Sequence, residues 1–350
     1  MKKCLLLILF AVAVVSAVSW PRVAVAQTPY MVAFYNLENL FDLDDDPATN
    51  DDEFTPHGDK QWNHYKYHNK LKNLERVFSD MAALQDAYPA VIGVAEVENR
   101  SVLEDLASMP KLDAAKYSIC HFDSPDERGI DCAFLYRADV FKMEGCENIS
   151  LIVPDDPQYR TRDLVAMWGN IEGESFYFLV SHWPSRRGGQ YATAHLREAC
   201  ARQIKAIKDS ILAANSVTKF VVMGDFNDDA TDANVVDVMG VKGEVKALDR
   251  GDLFNPFNAM SRAGLGTLAY KDEWNMFDNI CVTENLLSGS DGDLRLLRVP
   301  QSEYYGGIFS RRYMLQQDGQ YKGAPLRTFV GKNFQNGYSD HLPIYIYIGR

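Results

Sequence analysis

Lys219-Phe220-Val221-Val222-Met223-Gly224-Asp225-Phe226-Asn227 is an apolar run that ends on an acid and an amide. Phe220 to Met223 reads as a strand buried on both faces, so Asp225 and Asn227 arrive at its exit. At the far end of the chain the order is reversed. Ser339-Asp340-His341-Leu342 comes first, and the apolar run Pro343-Ile344-Tyr345-Ile346-Tyr347-Ile348 follows, so an acid and an imidazole sit at a strand's entrance. Carboxylate, amide and imidazole groups gathered at strand ends suit hard divalent cations and phosphate esters. An enzyme is expected.

Working outward, other strands end on similar groups. Tyr30 to Tyr35 leads into Asn36 and Glu38, and Ala90 to Ala95 ends at Glu96. Phe176 to Ser181 ends at His182, while Asp278 opens an apolar stretch within Met276 to Val282. Leu71, Leu74, Val77, Phe78, Met81 and Leu84 recur at helical spacing, and a long helix is expected from about Ala192 to Ala214. A short helix is read at Ser101 to Met109, with further strands at Tyr117 to His121, Cys132 to Tyr136 and Leu164 to Trp168. Strands and helices intermix with no low-complexity linker or internal period, so residues 27–350 read as one α/β domain. Asp42 to Lys60, Ser288 to Asp293 and Ser302 to Gln335 read as surface excursions.

Residues 1–26 read as a secretory signal peptide. Lys2 and Lys3 precede an apolar stretch from Leu5 to Val18, and Ala24-Val25-Ala26 offers a small-residue cleavage site before Gln27. A secreted or periplasmic location is therefore expected. The formal charge is -12, and loss of Lys2, Lys3 and Arg22 takes it to -15. Such an acidic surface does not coat nucleic acid nonspecifically, so any phosphate recognition must be local. Five scattered cysteines beyond Cys4 form no disulfide framework and no paired metal-ligand spacing. Cys120 and Cys132 either pair across a hairpin or remain buried free thiols.

Each polar residue has an ordinary explanation when taken singly. Glu96 can begin a helix, Asp225 can sit in a turn, and a histidine before Trp183-Pro184 is commonly structural. The set carries more weight, because crowded carboxylates on one rim repel one another until a cation or a phosphate-bearing substrate relieves them. An oxygen-rich set without cysteine favours magnesium, with manganese or calcium as the other choices.

In this order, Asn36-x-Glu38, Glu96, His182, Gly224-Asp225-Phe226-Asn227, Asp278 and Ser339-Asp340-His341 resemble the endonuclease/exonuclease/phosphatase superfamily. The resemblance runs from Tyr30 to Ile348, and its specificity lies in the pairing of G-D-F-N with a C-terminal S-D-H-x-P. It implies a four-layer α/β sandwich with two packed mixed β-sheets flanked by helices. It also implies metal ligation by Asn36, Glu38, Glu96 and Asp340. His182, Asp225, Asn227, Asp278 and His341 would be catalytic, with Asp278 orienting His341.

The segment Ser181-His182-Trp183-Pro184-Ser185-Arg186-Arg187-Gly188-Gly189 resembles secreted bacterial members, with Ser181 where asparagine is usual. Arg162, Arg186 and Arg187 are then candidates for the substrate phosphate, although Arg162 is equally placed to pair with Asp163. Asp131 is either an orienting partner for His182 or a hairpin residue. Tyr270 and Trp274 either stack on a flat substrate group or pack beneath the site. The implied activity is a secreted, divalent-metal-dependent phosphodiesterase, an endonuclease being the leading reading. A phospholipid or phosphorylated-sugar phosphoesterase is the alternative on the same frame. A non-enzymatic relative would have lost one of Glu96, His182, Asp225, Asp340 or His341, and all five are present. No obligate protein partner is implied, and a monomer is expected.

Overall fold

The computed structural model describes residues 28–270, 273–290 and 292–350, so residues 1–26, expected to be a signal peptide, lie outside the described residues. In chain order the elements are β1 (Tyr30–Leu40), α1 (His64–Ala82), β2 (Val91–Val97), α2 (Arg100–Ala107), β3 (Tyr117–His121), β4 (Asp131–Arg137), β5 (Phe141–Ile149), β6 (Leu164–Ile171) and β7 (Glu174–His182). Then come α3 (Ala194–Ala214), β8 (Lys219–Asp225), β9 (Val241–Lys242), β10 (Leu253–Phe254), α4 (Asn258–Arg262), β11 (Leu268–Tyr270), β12 (Glu273–Asn275) and β13 (Asp278–Thr283). The chain closes with β14 (Arg295–Leu297), β15 (Gly306–Ile308), β16 (Phe329–Val330), β17 (Asn333–Phe334) and β18 (Ile344–Gly349).

Two seven-stranded mixed sheets result. The first runs β14-β18-β1-β2-β4-β3, with β15 also on β18, and the second runs β5-β6-β7-β8-β13-β10-β9. Val32, Phe34, Val91 and Phe134 of the first sheet meet Val165, Phe178, Val221, Met223 and Ile280 of the second in the central core. The first sheet's other face packs on Leu74, Val77, Phe78 and Met81 of α1 and on Leu103 and Leu106 of α2. Ala199, Cys200 and Ile204 of α3 cover Phe220 and Val222 on the outer face of the second. The expected order of helix, sheet, sheet and helix is thus built by alternate residues of each strand facing opposite layers.

The connections put the polar strand ends together. β1 runs parallel to β2, and β7 runs parallel to β8, so each pair finishes on the same side. β18 and β13 run antiparallel to these neighbours and therefore begin where the others end. Gly224 has a steric role at that junction. A Cβ there would lie 1.8 Å from the Ser181 carbonyl oxygen, inside any allowed contact, so the pairing of β7 with β8 requires glycine before Asp225.

β5 was not expected from the sequence. It is an edge strand whose residues after Phe141 are exposed or half-buried through Ile149, so it shows no apolar alternation. Cys120, Cys132, Cys146, Cys200 and Cys281 are free thiols. Cys120 lies opposite Phe134, which leaves Cys132 out of cross-strand register with it. Among the described residues no helix is long and apolar enough to cross a membrane.

Candidate active site

The rim is fixed by strand pairing. His182 at the end of β7 stands opposite Asp225 at the end of β8, and Asp225 stands opposite Asp278 at the start of β13. Two acids directly opposite one another are unfavourable in a sheet. Two imidazoles relieve the contact. His341 Nδ1 lies 2.7 Å from Asp278 Oδ2, and Asp225 Oδ2 lies 3.6 Å from His341 Nε2 and 3.5 Å from His182 Nε2. Asp225 therefore faces both histidines at once, and it, His182 and Asp278 are all buried.

The Asp225 carboxyl is pushed up to about 7, mainly by burial and also by Asp278, with His341 pulling the other way. The two histidines diverge. Desolvation, with Arg162, Arg128 and His341 nearby, holds His182 well below the ordinary imidazole value. Burial opposes the charged form of His341 too, but the carboxylates of Asp278 and Asp225 outweigh it and hold His341 well above that value. Near neutral pH one imidazole is neutral and the other is charged.

Glu96 closes the arrangement. Its backbone is left-handed at φ 61°, its Oε2 accepts the Asn39 amide at 3.1 Å, and its Oε1 is 3.9 Å from His182 Nε2. Glu38, Asn39 and Asn227 also have positive φ, so four non-glycine residues in this strained region surround one site. Asn227 keeps its conformation by donating its backbone amide to Asp225 Oδ1 (2.9 Å) and Nδ2 to the Trp183 carbonyl (3.0 Å). Trp183 itself is buried and stacked on Phe226 at 4.4 Å, locking the His182 loop to the Asp225 loop.

Several residues occupy places other than those expected. Asn36 is held within a hydrogen-bond network. Its Oδ1 accepts the Glu38 amide at 2.9 Å, and its Nδ2 donates to Asp225 Oδ2 (3.1 Å) and Glu96 Oε1 (3.3 Å), so it spaces two carboxylates. Glu38 is turned onto the Thr328 amide at 2.6 Å and lies 3.9 Å from the buried Lys70 ammonium. Asp340 pairs with Arg327 at 2.5 Å. Asp131 does not reach His182. It begins β4, and its carboxylate takes His121 Nε2 at 2.9 Å and the Ser124 amide at 2.9 Å, while His182 Nδ1 has no hydrogen-bond partner among the described residues.

Arg186 is also corrected. Its guanidinium lies over Phe277 and pairs with Asp232 (2.5 Å) and Asp228 (3.2 Å), with Nε donating to the Asn227 carbonyl at 2.6 Å, so it braces a loop. Arg162 is buried and bonds Asp126 (3.1 Å) and the Trp183 carbonyl (2.8 Å), while Asp163 accepts from Asn148. It therefore supports the His182 loop, and its Nε lacks a partner among the described residues. Arg187 is exposed and lines the cavity over the site.

That cavity measures about 1360 Å³ and contains Glu96, His182, Asp225, Asn227, Asp340 and His341 at its floor. Tyr270 and Trp274 on the β11–β12 hairpin and Tyr321 with Lys322 on the loop before β16 form its walls, and Leu268 bridges to His341. Tyr270, Trp274 and Tyr321 are exposed, which answers the earlier choice in favour of a wall and against packing below the site. Lys70 and Arg327 escaped the sequence reading. Lys70 carries a signal in hindsight, since it stands at i, i+4 and i+7 with Leu74 and Val77 on an apolar helix face.

The sequence of residues 31–350 matches the family described as Endonuclease/Exonuclease/phosphatase. No curated protein matches the chain. Among solved structures, TDP2 of D. rerio complexed with a single-strand DNA product shares 14% identity at TM-score 0.54, covering 93% of this chain and 100% of that one. A mannosyl-6-phosphatase of Bacteroides thetaiotaomicron shares 16% at TM-score 0.54, covering 91% and 99%. The human Nocturnin catalytic domain with a bound sulfate shares 14% at TM-score 0.51, covering 92% and 94%. Identities this low establish the shared fold.

Proposed function

Since the chain belongs to the endonuclease/exonuclease/phosphatase family, whose members are divalent-metal-dependent phosphoesterases, we propose that it is a magnesium-dependent phosphodiesterase acting on nucleic acid outside the cytoplasm. The observation that carries the reading is the placement of Asp225 between the His182 and His341 imidazoles, 3.5 and 3.6 Å away. Neutral His182, with its Nε2 turned toward Asp225, accepts the proton of the attacking water. The oxygen of that water forms the new bond to phosphorus. As the bond to the leaving oxygen breaks, the imidazolium of His341 donates its proton to that oxygen. Asp225 holds the water between the two, and Asp278 keeps His341 charged and aligned. Asn227, which also lines the cavity, has one side-chain N–H left to donate to a phosphate oxygen.

The donor set fits a hard cation: carboxylate oxygens predominate, and Asp225 and Asp278 can present oxygens within 4.8 Å of one another. Glu96, whose carboxylate opens to the cavity, would hold magnesium, with manganese or calcium as substitutes. When bound, the ion supplies positive charge to the phosphoryl oxygens. Support for a nucleic-acid substrate comes from Tyr270, Trp274 and Tyr321 on the walls beside Arg160, Arg187 and Lys322, an aromatic and cationic pairing suited to bases and backbone. Residues 1–26 support export, residues 27–350 form the catalytic domain, and the chain acts as a monomer.

The test is a substrate panel with magnesium: plasmid DNA, single-stranded DNA, RNA, sphingomyelin, a sugar phosphate and bis-p-nitrophenyl phosphate. Cleavage of nucleic acid that stops with chelator and in His341→Ala supports the proposal. Cleavage of lipid or sugar phosphate with nucleic acid untouched would replace it with the alternative substrate class.

A further inference from the structure

The rim divides into two halves with different charge balance. On one side stand Glu38 and Asp340. Glu38 Oε2 lies 3.9 Å from Lys70 Nζ and its Oε1 lies 3.8 Å from Arg327 Nε. Asp340 Oδ2 takes the Arg327 guanidinium at 2.5 Å. Lys70 is fixed from behind, donating at 2.7 Å to both Thr328 Oγ1 and the Tyr338 carbonyl, so it cannot leave Glu38. Two carboxylates therefore already face two cations. On the other side stand Glu96, Asp225 and Asp278, which have no lysine or arginine within 4.0 Å among the described residues and face only His182 and His341.

We propose that Arg327 is a built-in cation: it occupies the Glu38–Asp340 half of the rim, supplies there the charge a second divalent ion would bring, and faces the substrate phosphate across the cavity. The consequence is a site for one ion, on the Glu96 side. Arg327 is suited to this because it is only half-buried and lines the cavity, whereas Lys70 is sealed beneath it. A guanidinium held by Asp340 still has donors for a phosphate oxygen, since it carries five N–H groups in a planar fork. Glu38, expected as a metal ligand, becomes the anchor that aims this arginine.

The inference rests on the metal-dependent phosphoesterase reading, and counting ions separates the two. Manganese binding to the purified chain is measured by electron paramagnetic resonance of the free ion, with no substrate present. One ion per chain is expected, lost in Glu96→Gln. Arg327→Gln should admit a second ion, and Arg327→Lys should not. Competitive inhibition by inorganic phosphate should weaken about tenfold in Arg327→Gln, equal to about 1.4 kcal/mol. Two ions on the unaltered chain, or Arg327→Gln with one ion and unchanged phosphate inhibition, would overturn the role of Arg327 and leave the phosphoesterase reading standing. No ion bound to the unaltered chain would overturn both.

Discussion

Replacing Asp278 with asparagine should move the basic limb of the rate–pH profile, and the size of the movement can be worked from one contact. Asp278 Oδ2 lies 2.7 Å from His341 Nδ1, and both side chains are buried. Two unit charges at this separation attract by about 6 kcal/mol at an effective dielectric of about 20, which is an upper figure because burial opposes the imidazolium. Hydrogen bonds to charged groups contribute about 1.5–3 kcal/mol net. At about 1.36 kcal/mol per decade, loss of the charge lowers the pH at which His341 deprotonates by about one to two pH units. The attraction of Asp225 and Asp340 remains and limits the fall. Activity that needs the imidazolium is retained below that pH and lost above it. kcat/KM for bis-p-nitrophenyl phosphate, followed from pH 5 to pH 10, should therefore keep its acid limb and lose its basic side early. The folding contribution has the same sign. A histidine raised in the folded state stabilises fully below its unfolded value of about 6.5, and that contribution disappears as pH rises through the folded value. The Tm deficit of Asp278→Asn should be largest below about pH 6.5 and shrink at high pH. A fixed basic limb, or movement of the acid limb instead, would refute the assignment of His341 as the proton donor.

Arg197 is buried and donates to Asp228 at 2.7 Å while tying the 184–193 loop through the Pro184 and Gln190 carbonyls. Arg197→Ala should cost about 3–5 kcal/mol and lower Tm by about 4–7 °C in calorimetry; a fall under about 2 °C would contradict the clamp. Asn227→Gly and Asn227→Ala should lose activity alike, but alanine should be less stable by about 1–2 kcal/mol in denaturant unfolding because of the positive φ. Equal stability of the two would remove the strain argument. Asp131→Asn should leave kcat/KM and its pH profile within about twofold, a change of about 0.4 kcal/mol; an altered acid limb would return Asp131 to His182.

The strand-end residues were legible because buried parallel strands announce themselves as apolar runs, and whatever follows the run must lie at the sheet's rim. This is why Asp225, His182 and Glu96 meet although they are distant in sequence. The same logic failed where neighbours along the chain were assumed to be neighbours in space. Arg186 follows the His182 strand yet turns to Asp228 and Asp232, and Asp163 follows Arg162 yet bonds Asn148. β5 was hidden because an edge strand with one solvated face and a bulge at Gly145 has no strict alternation. Arg327 was illegible for a different reason. It lies in a loop without periodicity, and its role depends on a buried lysine contributed by α1, 257 positions earlier.

The central claim is that this rim performs metal-dependent hydrolysis of phosphodiesters through paired histidines. The most direct measurement is the rate of single-stranded DNA cleavage by the purified chain with magnesium, with excess chelator, and after magnesium is restored, alongside His341→Ala. Cleavage that disappears with chelator, returns with magnesium and is absent in the variant is the expected result. Cleavage that survives chelation, or a variant as active as the parent, would contradict the account.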